Sequence, residues 1–382
     1  LGVLRRVSPG RRFLHRRAPP QAPGPLRRRW TRVRPAGRAL AQLGDPRPGV
    51  GLVPLHSEGS VETALPDLAW CEVPAGPFLL GANEGEEAWD DEKPQHDLTL
   101  PTFYIARYPV TNAQYAPFVT AGGYDEPRWW SEAGWAWRTG AEPDLSQIPD
   151  EKLRQNYADW LANRPVERRG EPFWWGEAPW NLANHPVVGV TWYEAMAYCA
   201  WINEQLGAGG QGLGAGGWPA EVVAGLAAGR WRVRLPAEAE WEKAAGWDPV
   251  AKRKRVYAWG DDWDENKANV AEKIERTSAV GIFPAGAAAC GALDMTGNVW
   301  EWTLSAWGSF DYTKPGFRYP FEAAGPQIES GEREAVDTPG FRVVRGGSWD
   351  EDQRFARVST RDDPHPDYFN FYISFRVVVA PV

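Results

Sequence analysis

The sequence predicts an α+β fold with few helices, short strands and much irregular structure. Among 382 residues there are 23 Trp, 40 Gly and 34 Pro. This mixture is typical of loop-rich domains whose irregular segments are held by large aromatic side chains. Short strand-like and helical patterns alternate without the period of a solenoid or propeller. Apolar residues make up 43% of the chain, enough for a sizeable core.

Residues 1–65 are predicted to form a basic Arg/Pro-rich tail. The first 40 residues contain twelve Arg and no acid, while the whole chain carries a net charge of −8. An Arg-rich arm on an acidic body could bind nucleic acid or an acidic surface. We expect instead that this tail is a disordered leader, because Pro, Gly and Arg cannot build a core. We expect the folded domain to cover residues 66–382.

The first part of that domain reads as strands followed by one helix. Residues Trp70 to Leu80 predict two strand pieces around a Pro-Ala-Gly turn, and alternation predicts strand within Leu98 to Thr111. The acidic loop Glu84 to Glu92 between them is expected to be solvated, with binding of a cation or basic partner as the alternative. Thr111 is placed to cap a helix that Gly122 ends.

Residues 124–185 form a Trp-rich insertion with eight Trp. We expect these rings to pack under long loops, with a sugar- or peptide-stacking platform as the alternative. Helical spacing predicts one helix over Asp150 to Asn163 and the strongest helix over Thr191 to Leu206. A Gly-rich linker follows at 207–217. A strand is predicted at Trp231 to Leu235, and a helix that Pro236 opens.

The cysteines Cys71, Cys199 and Cys290 are few and far apart, so no disulfide framework or zinc spacing is visible. A reducing compartment, the cytoplasm, is therefore expected. No apolar run is long enough to span a membrane, and the basic start lacks the hydrophobic region of a secretion signal.

Eight segments, in order, resemble the formylglycine-generating enzyme (sulfatase-modifying factor) family across residues 68 to 382. They are GPFLLG (76–81), EKPQHDLTLPTFYIARYPVTNAQYAPFV (92–119), NHPVVGVTWYEAMAYCAW (184–201), RVRLPAEAEWEKAAG (232–246), YAWGDDW (257–263), GALDMTGNVWEWT (291–303), VVRGGSW (343–349) and SFRVV (374–378). The resemblance implies a C-type-lectin-like core with the terminal strands paired.

Enzymes of this family use two metal-binding sets that the sequence lacks. Oxidase members bind copper through two cysteines after the Gly-Gly-Ser turn, and thiolate suits soft Cu(I). The matching positions here are Glu351 and Ala356, so no copper is expected. A second enzymatic branch holds iron with histidines, and the histidines here do not show that paired spacing. These absences predict a non-enzymatic protein.

The adjacent acids Asp362 and Asp363 offer a further, weaker sign of chemistry. Two carboxyl groups could act as an acid/base pair. Like charges side by side on a loop are usually solvated, and we expect that state here.

The remaining resemblance is to the variable proteins of diversity-generating retroelements, which display a hypervariable surface after this turn. It implies that residues 350–374 form a diversified segment that binds a protein or other macromolecular ligand. Phe355, Tyr368, Phe371 and Tyr372 are predicted as exposed aromatic anchors. The predicted ligand-binding residues are Asp350, Asp352, Arg354, Phe355, Thr360, Asp362, Asp363, His365, Asp367, Tyr368, Asn370, Phe371 and Tyr372. Arg357, Val358, Ser359 and Arg361 are predicted to be scaffold.

The resemblance also implies a structural calcium ion. Asp294 and Glu301 would bind it by side chain, and Gly297 and Val299 by backbone carbonyl, because calcium prefers oxygen ligands. The alternative is that the two acids only hydrogen-bond the turn.

The sequence thus predicts a ligand-binding protein whose C-terminal surface is diversified by a retroelement. Two alternatives remain open: a formylglycine-generating-type oxidase with a non-standard site, and a fixed regulatory or interaction module. Nucleic acid is expected to bind only through the basic tail.

Overall fold

The computed structural model describes residues 66–83, 85–146, 148, 150–207, 218–307 and 340–382. The predicted Arg-rich tail and residues 208–217 of the Gly-rich linker lie outside the described residues. Within the described part no helix is long and apolar enough to cross a membrane.

Six α-helices are described, and short strands surround them. The helices are α1 (Asn112–Thr120), α2 (Glu132–Arg138), α3 (Glu151–Leu161), α4 (Trp192–Gly207), α5 (Ala220–Ala227) and α6 (Glu238–Gly246). The strands are β1 (Trp70–Val73), β2 (Gly76–Leu80), β3 (His96–Leu100), β4 (Phe103–Ala106), β5 (Trp231–Arg234), β6 (Trp247–Asp248), β7 (Arg253–Lys254), β8 (Trp300–Ala306), β9 (Arg342–Arg345), β10 (Arg361–Asp362), β11 (Ile373–Phe375) and β12 (Val378–Pro381). The α+β prediction is confirmed.

Local capping explains where the helices begin. The Thr111 side chain accepts a hydrogen bond from the backbone N–H of Gln114 and so caps α1, as predicted. Asp150 caps α3 in the same way through Leu153. Helix α2, which Ser131 caps, and helix α5 were not predicted from the sequence. Helix α6 begins at Glu238, so the predicted opening at Pro236 is two residues early.

Two four-stranded sheets organise the domain. The first sheet has the order β1-β4-β12-β5 and is antiparallel throughout. The second sheet has the order β10-β9-β8-β11, and its β8–β11 pair is parallel. The terminal strands β1 and β12 lie on opposite sides of β4, so the prediction that they pair with each other is wrong. The predicted pieces within Trp70 to Leu80 are β1 and β2, which join different sheets.

The core lies between α4 and the sheets and is rich in aromatic side chains. Trp192 and Trp201 of α4 and Trp300 and Trp302 of β8 are fully buried. In the Trp-rich insertion, Trp129, Trp130 and Trp137 are buried, and the other five Trp are at most partly buried. The prediction that these rings pack under long loops therefore holds for Trp129, Trp130 and Trp137.

Arg376 links the two sheets where the chain passes from β11 to β12. Its Nε donates to Glu301 Oε2 at 2.6 Å and its Nη2 donates to Glu301 Oε1 at 2.7 Å. Glu301 is in β8 of the second sheet. Nη1 of Arg376 donates to the carbonyl of Ala106, at the end of β4 in the first sheet, at 3.0 Å. Both partners of the ion pair are 0% exposed.

Replacing Arg376 by Met should strongly destabilise the fold, because it leaves the Glu301 carboxylate buried without a cation. We expect the free energy of unfolding to fall by about 3–5 kcal/mol. Urea denaturation followed by Trp fluorescence measures this change. The matched control is Arg354→Met, since Arg354 is 62% exposed in its pair with Asp352; it should change stability by at most about 1 kcal/mol. Similar losses in the two variants would contradict the role of Arg376.

Candidate active site

The segment after β9 turns back on itself at two glycines. Gly346 has a φ of +102° and Gly347 a φ of +71°. A Cβ on Gly347 would lie 2.7 Å from the carbonyl oxygen of Phe355, so only glycine fits this turn. Trp349 then donates its backbone N–H to Asn298, at 3.1 Å. The turn therefore directs the following residues back over the second sheet.

Three buried arginines hold this segment against the rest of the domain. Nη2 of Arg345 donates to Glu242, and the same guanidinium donates to the carbonyls of residues 358, 359 and 360. Arg361 donates to both oxygens of Glu238 at 2.7 and 2.8 Å. Such buried contacts hold the backbone of the segment in place, which is the role of a scaffold residue.

The third pair corrects the prediction for the acidic loop. Glu92, at the end of that loop, is 0% exposed and accepts two hydrogen bonds from Arg357 at 2.6 and 2.7 Å. Ser359 donates its hydroxyl to the same carboxylate at 2.7 Å. The expectation that the whole loop is solvated is therefore wrong for Glu92.

Most of the thirteen predicted ligand-binding residues lie inside the protein. Eight are buried: Phe355, Thr360, Asp362, Asp363, His365, Asp367, Tyr368 and Asn370. Five are partly or fully exposed: Asp350, Asp352, Arg354, Phe371 and Tyr372. Two of the four predicted anchors, Phe355 and Tyr368, are only 6% and 2% exposed, so the prediction that they are exposed is wrong. The physical reason is the set of long-range arginine pairs, which draws the segment inward.

Six polar side chains of this segment, five of them buried and Tyr372 partly exposed, form what we call the acid–phenol cluster. It consists of Glu351, Asp362, Asp363, Tyr368, Asn370 and Tyr372. The hydroxyls of Tyr368 and Tyr372 are 3.1 Å apart, and Asn370 Nδ2 donates to the Tyr368 hydroxyl at 2.9 Å. Asp363 donates its backbone N–H to the Asp362 carboxylate at 2.9 Å. The cluster thus combines two adjacent carboxyl groups with two phenols.

Electrostatics favours the protonated forms of Asp362, Tyr368 and Tyr372. Burial raises the pKa of Asp362 well above its usual value, and the neighbouring charges of Asp363 and Glu351 raise it further. Burial likewise raises the pKa values of Tyr368 and Tyr372. Adjacent buried carboxyl groups of this kind can divide the roles of acid and base. The expectation that the two aspartates are solvated is wrong, because both are buried.

Two residues in or beside the cluster were missed as site residues by the sequence analysis. Glu351 accepts a hydrogen bond from Trp300 Nε1 at 2.7 Å and is 9% exposed. Its signal was present, because the resemblance places a catalytic cysteine of the oxidases at this position. Tyr157 of α3 packs its ring 5.9 Å from that of Tyr368. No sequence signal ties that insertion helix to the C-terminal segment.

Among the predicted calcium ligands, Glu301 already forms an ion pair with Arg376. Both oxygens of Glu301 accept hydrogen bonds from Arg376, and Trp241 Nε1 also donates to Oε2 at 2.7 Å. Asp294 accepts from the backbone of Gly281 at 2.7 Å, and burial raises its pKa to about 6. A calcium ion would compete with the Arg376 guanidinium, so these residues fit a cation poorly. Calcium binding stays a prediction.

Two cysteines that lie far apart in the sequence interact in the fold. A hydrogen bond with Cys290 lowers the pKa of the Cys71 thiol to about 7, and the positive charges of Arg376 and Arg107 also lower it. Burial raises the pKa of Cys199 in α4, which favours an inert thiol there. The sequence analysis missed the first pair because its members meet only through the tertiary fold.

The chain belongs to the formylglycine-generating enzyme family. Residues 62–381 match the model for the sulfatase-modifying factor enzyme 1-like domain. PvdO from Pseudomonas aeruginosa has the same fold, with a TM-score of 0.50, 22% identity, and 81% of this chain and 94% of that chain covered. The resemblance seen in the sequence and the C-type-lectin-like fold class are confirmed.

A hercynine oxygenase is among the most similar relatives. The protein from Mycolicibacterium thermoresistibile is 37% identical over 302 residues, which cover 76% of this chain and 54% of that protein. The chain thus spans about half the length of the hercynine oxygenases it matches.

These relatives contradict the prediction of a non-enzymatic protein, since they carry the name of an enzyme. The missing cysteine pair and the missing histidine spacing concern two chemistries of the family, and it was wrong to extend these absences to all enzymatic activity. The structure of Treponema denticola variable protein 1 matches with a TM-score of 0.49 and 19% identity, over 82% of this chain and 95% of that one. That level of likeness carries no argument about function.

Asp362→Asn should remove a pH-dependent loss of stability. Because the folded-state pKa is raised, the folded protein keeps this proton where the unfolded chain has lost it. The stabilising contribution is therefore fully present below about pH 4 and is lost as pH rises through the folded pKa. Asn is neutral and can still accept from the Asp363 N–H. In calorimetry from pH 4 to pH 8, the variant should match the wild type at low pH and melt higher at high pH.

The exposed Asp262 provides the control for this prediction. Asp262→Asn should leave the pH profile of the melting temperature unchanged. A decline with pH in Asp362→Asn as steep as in the wild type would contradict the buried titration.

Proposed function

We propose that this chain provides the substrate-binding and proton-transfer site of an oxygenase that acts on hercynine or a closely related ammonium compound. The observation that carries the proposal is the acid–phenol cluster, in the segment that follows the Gly-Gly-Ser turn. The likeness to hercynine oxygenase supports it. The proposal replaces the display surface predicted from the sequence.

The cluster suits a cationic substrate. Three carboxyl groups, from Glu351, Asp362 and Asp363, are concentrated in a buried region next to the rings of Tyr368 and Tyr372. Aromatic faces and carboxylates are the groups that recognise quaternary ammonium ions, such as that of hercynine. Binding of a cation would favour the ionised carboxylates and so offset the repulsion that raises the pKa of Asp362.

The same groups can move protons. The Tyr368 oxygen accepts from Asn370, and the Tyr368 and Tyr372 hydroxyls share a hydrogen bond. With pKa values raised by burial, both phenols stay protonated and can donate. The Asp362–Asp363 pair can accept a proton on one carboxyl group while the other remains ionised. General acid–base catalysis needs this pairing of donor and acceptor.

The cluster does not reproduce the metal sites of the family's enzymes. Within the described ranges, no group of three or more His, Cys, Asp or Glu side chains is placed to hold a metal ion. The described residues therefore do not fit the copper or iron of those enzymes, and their contribution is binding and proton transfer.

Hercynine should bind to the purified protein in isothermal titration calorimetry. Asp362→Asn should weaken binding about tenfold or more, because a charge-assisted contact is lost. Glu265→Gln is the control, since Glu265 is exposed and distant in sequence from the cluster. The absence of hercynine binding, or equal affinity in Asp362→Asn, would contradict the proposal.

The native protein from its source cells should consume oxygen when hercynine is added. Tyr368→Phe keeps the ring and removes the hydroxyl, so it should lower the rate about 100-fold or more if this phenol transfers a proton. The melting temperature of Tyr368→Phe should stay close to that of the wild type. An oxygen electrode measures the rate, and uptake that does not depend on hercynine would argue against this substrate.

A further inference from the structure

A second candidate site lies at a cavity of about 470 Å³, a size typical of small-molecule sites. Residues of the Trp-rich insertion and of the C-terminal segment line it together. Its lining includes Trp137, Arg164, Arg169, Asp367 and Phe369, and none of the residues of the acid–phenol cluster. The cavity is therefore separate from the site proposed above.

Arg169 brings a buried positive charge to this cavity. It is 8% exposed, and its Nε and Nη1 donate only to backbone carbonyls, those of Arg164, Trp137 and Ala141. Among the described residues no carboxylate lies within ion-pair distance of it, although Asp367, Glu142 and Glu167 attract it from farther away. A buried guanidinium is costly without an anionic partner.

Asp367 brings a buried negative charge to the same cavity. It is 5% exposed, and within the described part of the chain its carboxylate accepts no hydrogen bond. Among the described residues its ion-pair partner is His365, whose Nδ1 lies 3.7 Å from Oδ1. That nitrogen accepts the backbone N–H of Asp367 at 3.3 Å, so it carries a lone pair and offers no proton.

The other carboxylates at the cavity lie on its exposed side. Glu142 and Glu167 line it and are both exposed. The other buried cation, Arg164, is already paired with Glu194 at 2.7 Å. The cavity thus has a buried cation and a buried anion that attract each other without a direct salt bridge, and two exposed acids at its mouth.

We propose that this cavity binds a basic α-amino acid, such as arginine or lysine. The guanidinium of Arg169 would bind the carboxylate, for which its planar fork is suited. Asp367 would bind the α-ammonium group. Glu142 and Glu167 would attract the cationic end of the side chain, so the ligand supplies the opposite charge at each position.

Calorimetry with L-arginine tests the proposal. The wild-type protein should bind it, and Asp367→Asn should weaken binding about tenfold or more. This substitution is isosteric and removes no hydrogen bond, so circular dichroism should show an unchanged fold. L-Glutamate should bind more weakly than L-arginine, because its side chain meets the two acids at the mouth.

Further variants test the proposed arginine site independently of Asp367→Asn. Arg169→Lys keeps the charge but loses the fork, so arginine should bind more weakly. If Asp367→Asn fails to fold, the surface variant Glu142→Gln/Glu167→Gln should still lower arginine affinity about twofold to fivefold. Asp362→Asn should leave arginine binding unchanged, which separates this site from the proposed oxygenase site.

Three results would overturn the inference. They are no binding of arginine to the wild-type protein, equal binding in Asp367→Asn, and glutamate binding as tight as that of arginine.

Discussion

The buried ion pair between Arg376 and Glu301 is the interaction on which the rest of the structure depends. It lies where the chain leaves the second sheet at β11 and enters the first sheet at β12. The guanidinium also donates to the carbonyls of Ala106 and Leu293, so one side chain satisfies backbone groups from separate segments. Because both charges are fully desolvated, losing either partner would leave an uncompensated charge in the core.

The same device recurs around the C-terminal segment. Arg345, Arg357 and Arg361 each form a buried pair with a glutamate from a distant part of the chain. Such pairs are geometrically demanding, since the planar guanidinium binds a carboxylate best in one orientation. They give a segment with little regular secondary structure a defined path. That path brings buried Asp362, Asp363 and Tyr368 together with the partly exposed Tyr372.

Acid–base chemistry requires titratable groups held rigidly in a buried site. A display surface instead requires exposed positions that tolerate substitution. The charges that explain the fold are paired, and the pKa of Asp362 is raised by its burial and by the like charge beside it. Arg169 and Asp367 differ from these pairs, because both are buried at one cavity and attract each other without a direct salt bridge. The structural charges are thus paired directly, whereas Arg169 and Asp367 line a cavity.

The sequence by itself determined the α+β class, the family, and the helices whose caps and apolar spacing are local. Thr111 and Asp150 mark their helices because an N-cap needs only a backbone N–H three residues away. Only the tertiary structure decided which residues of 350–374 face inward. Glu92 and Arg357 are 265 positions apart, and Tyr157 reaches Tyr368 from another helix. Such contacts depend on how separate elements pack, and no local pattern of residues encodes them.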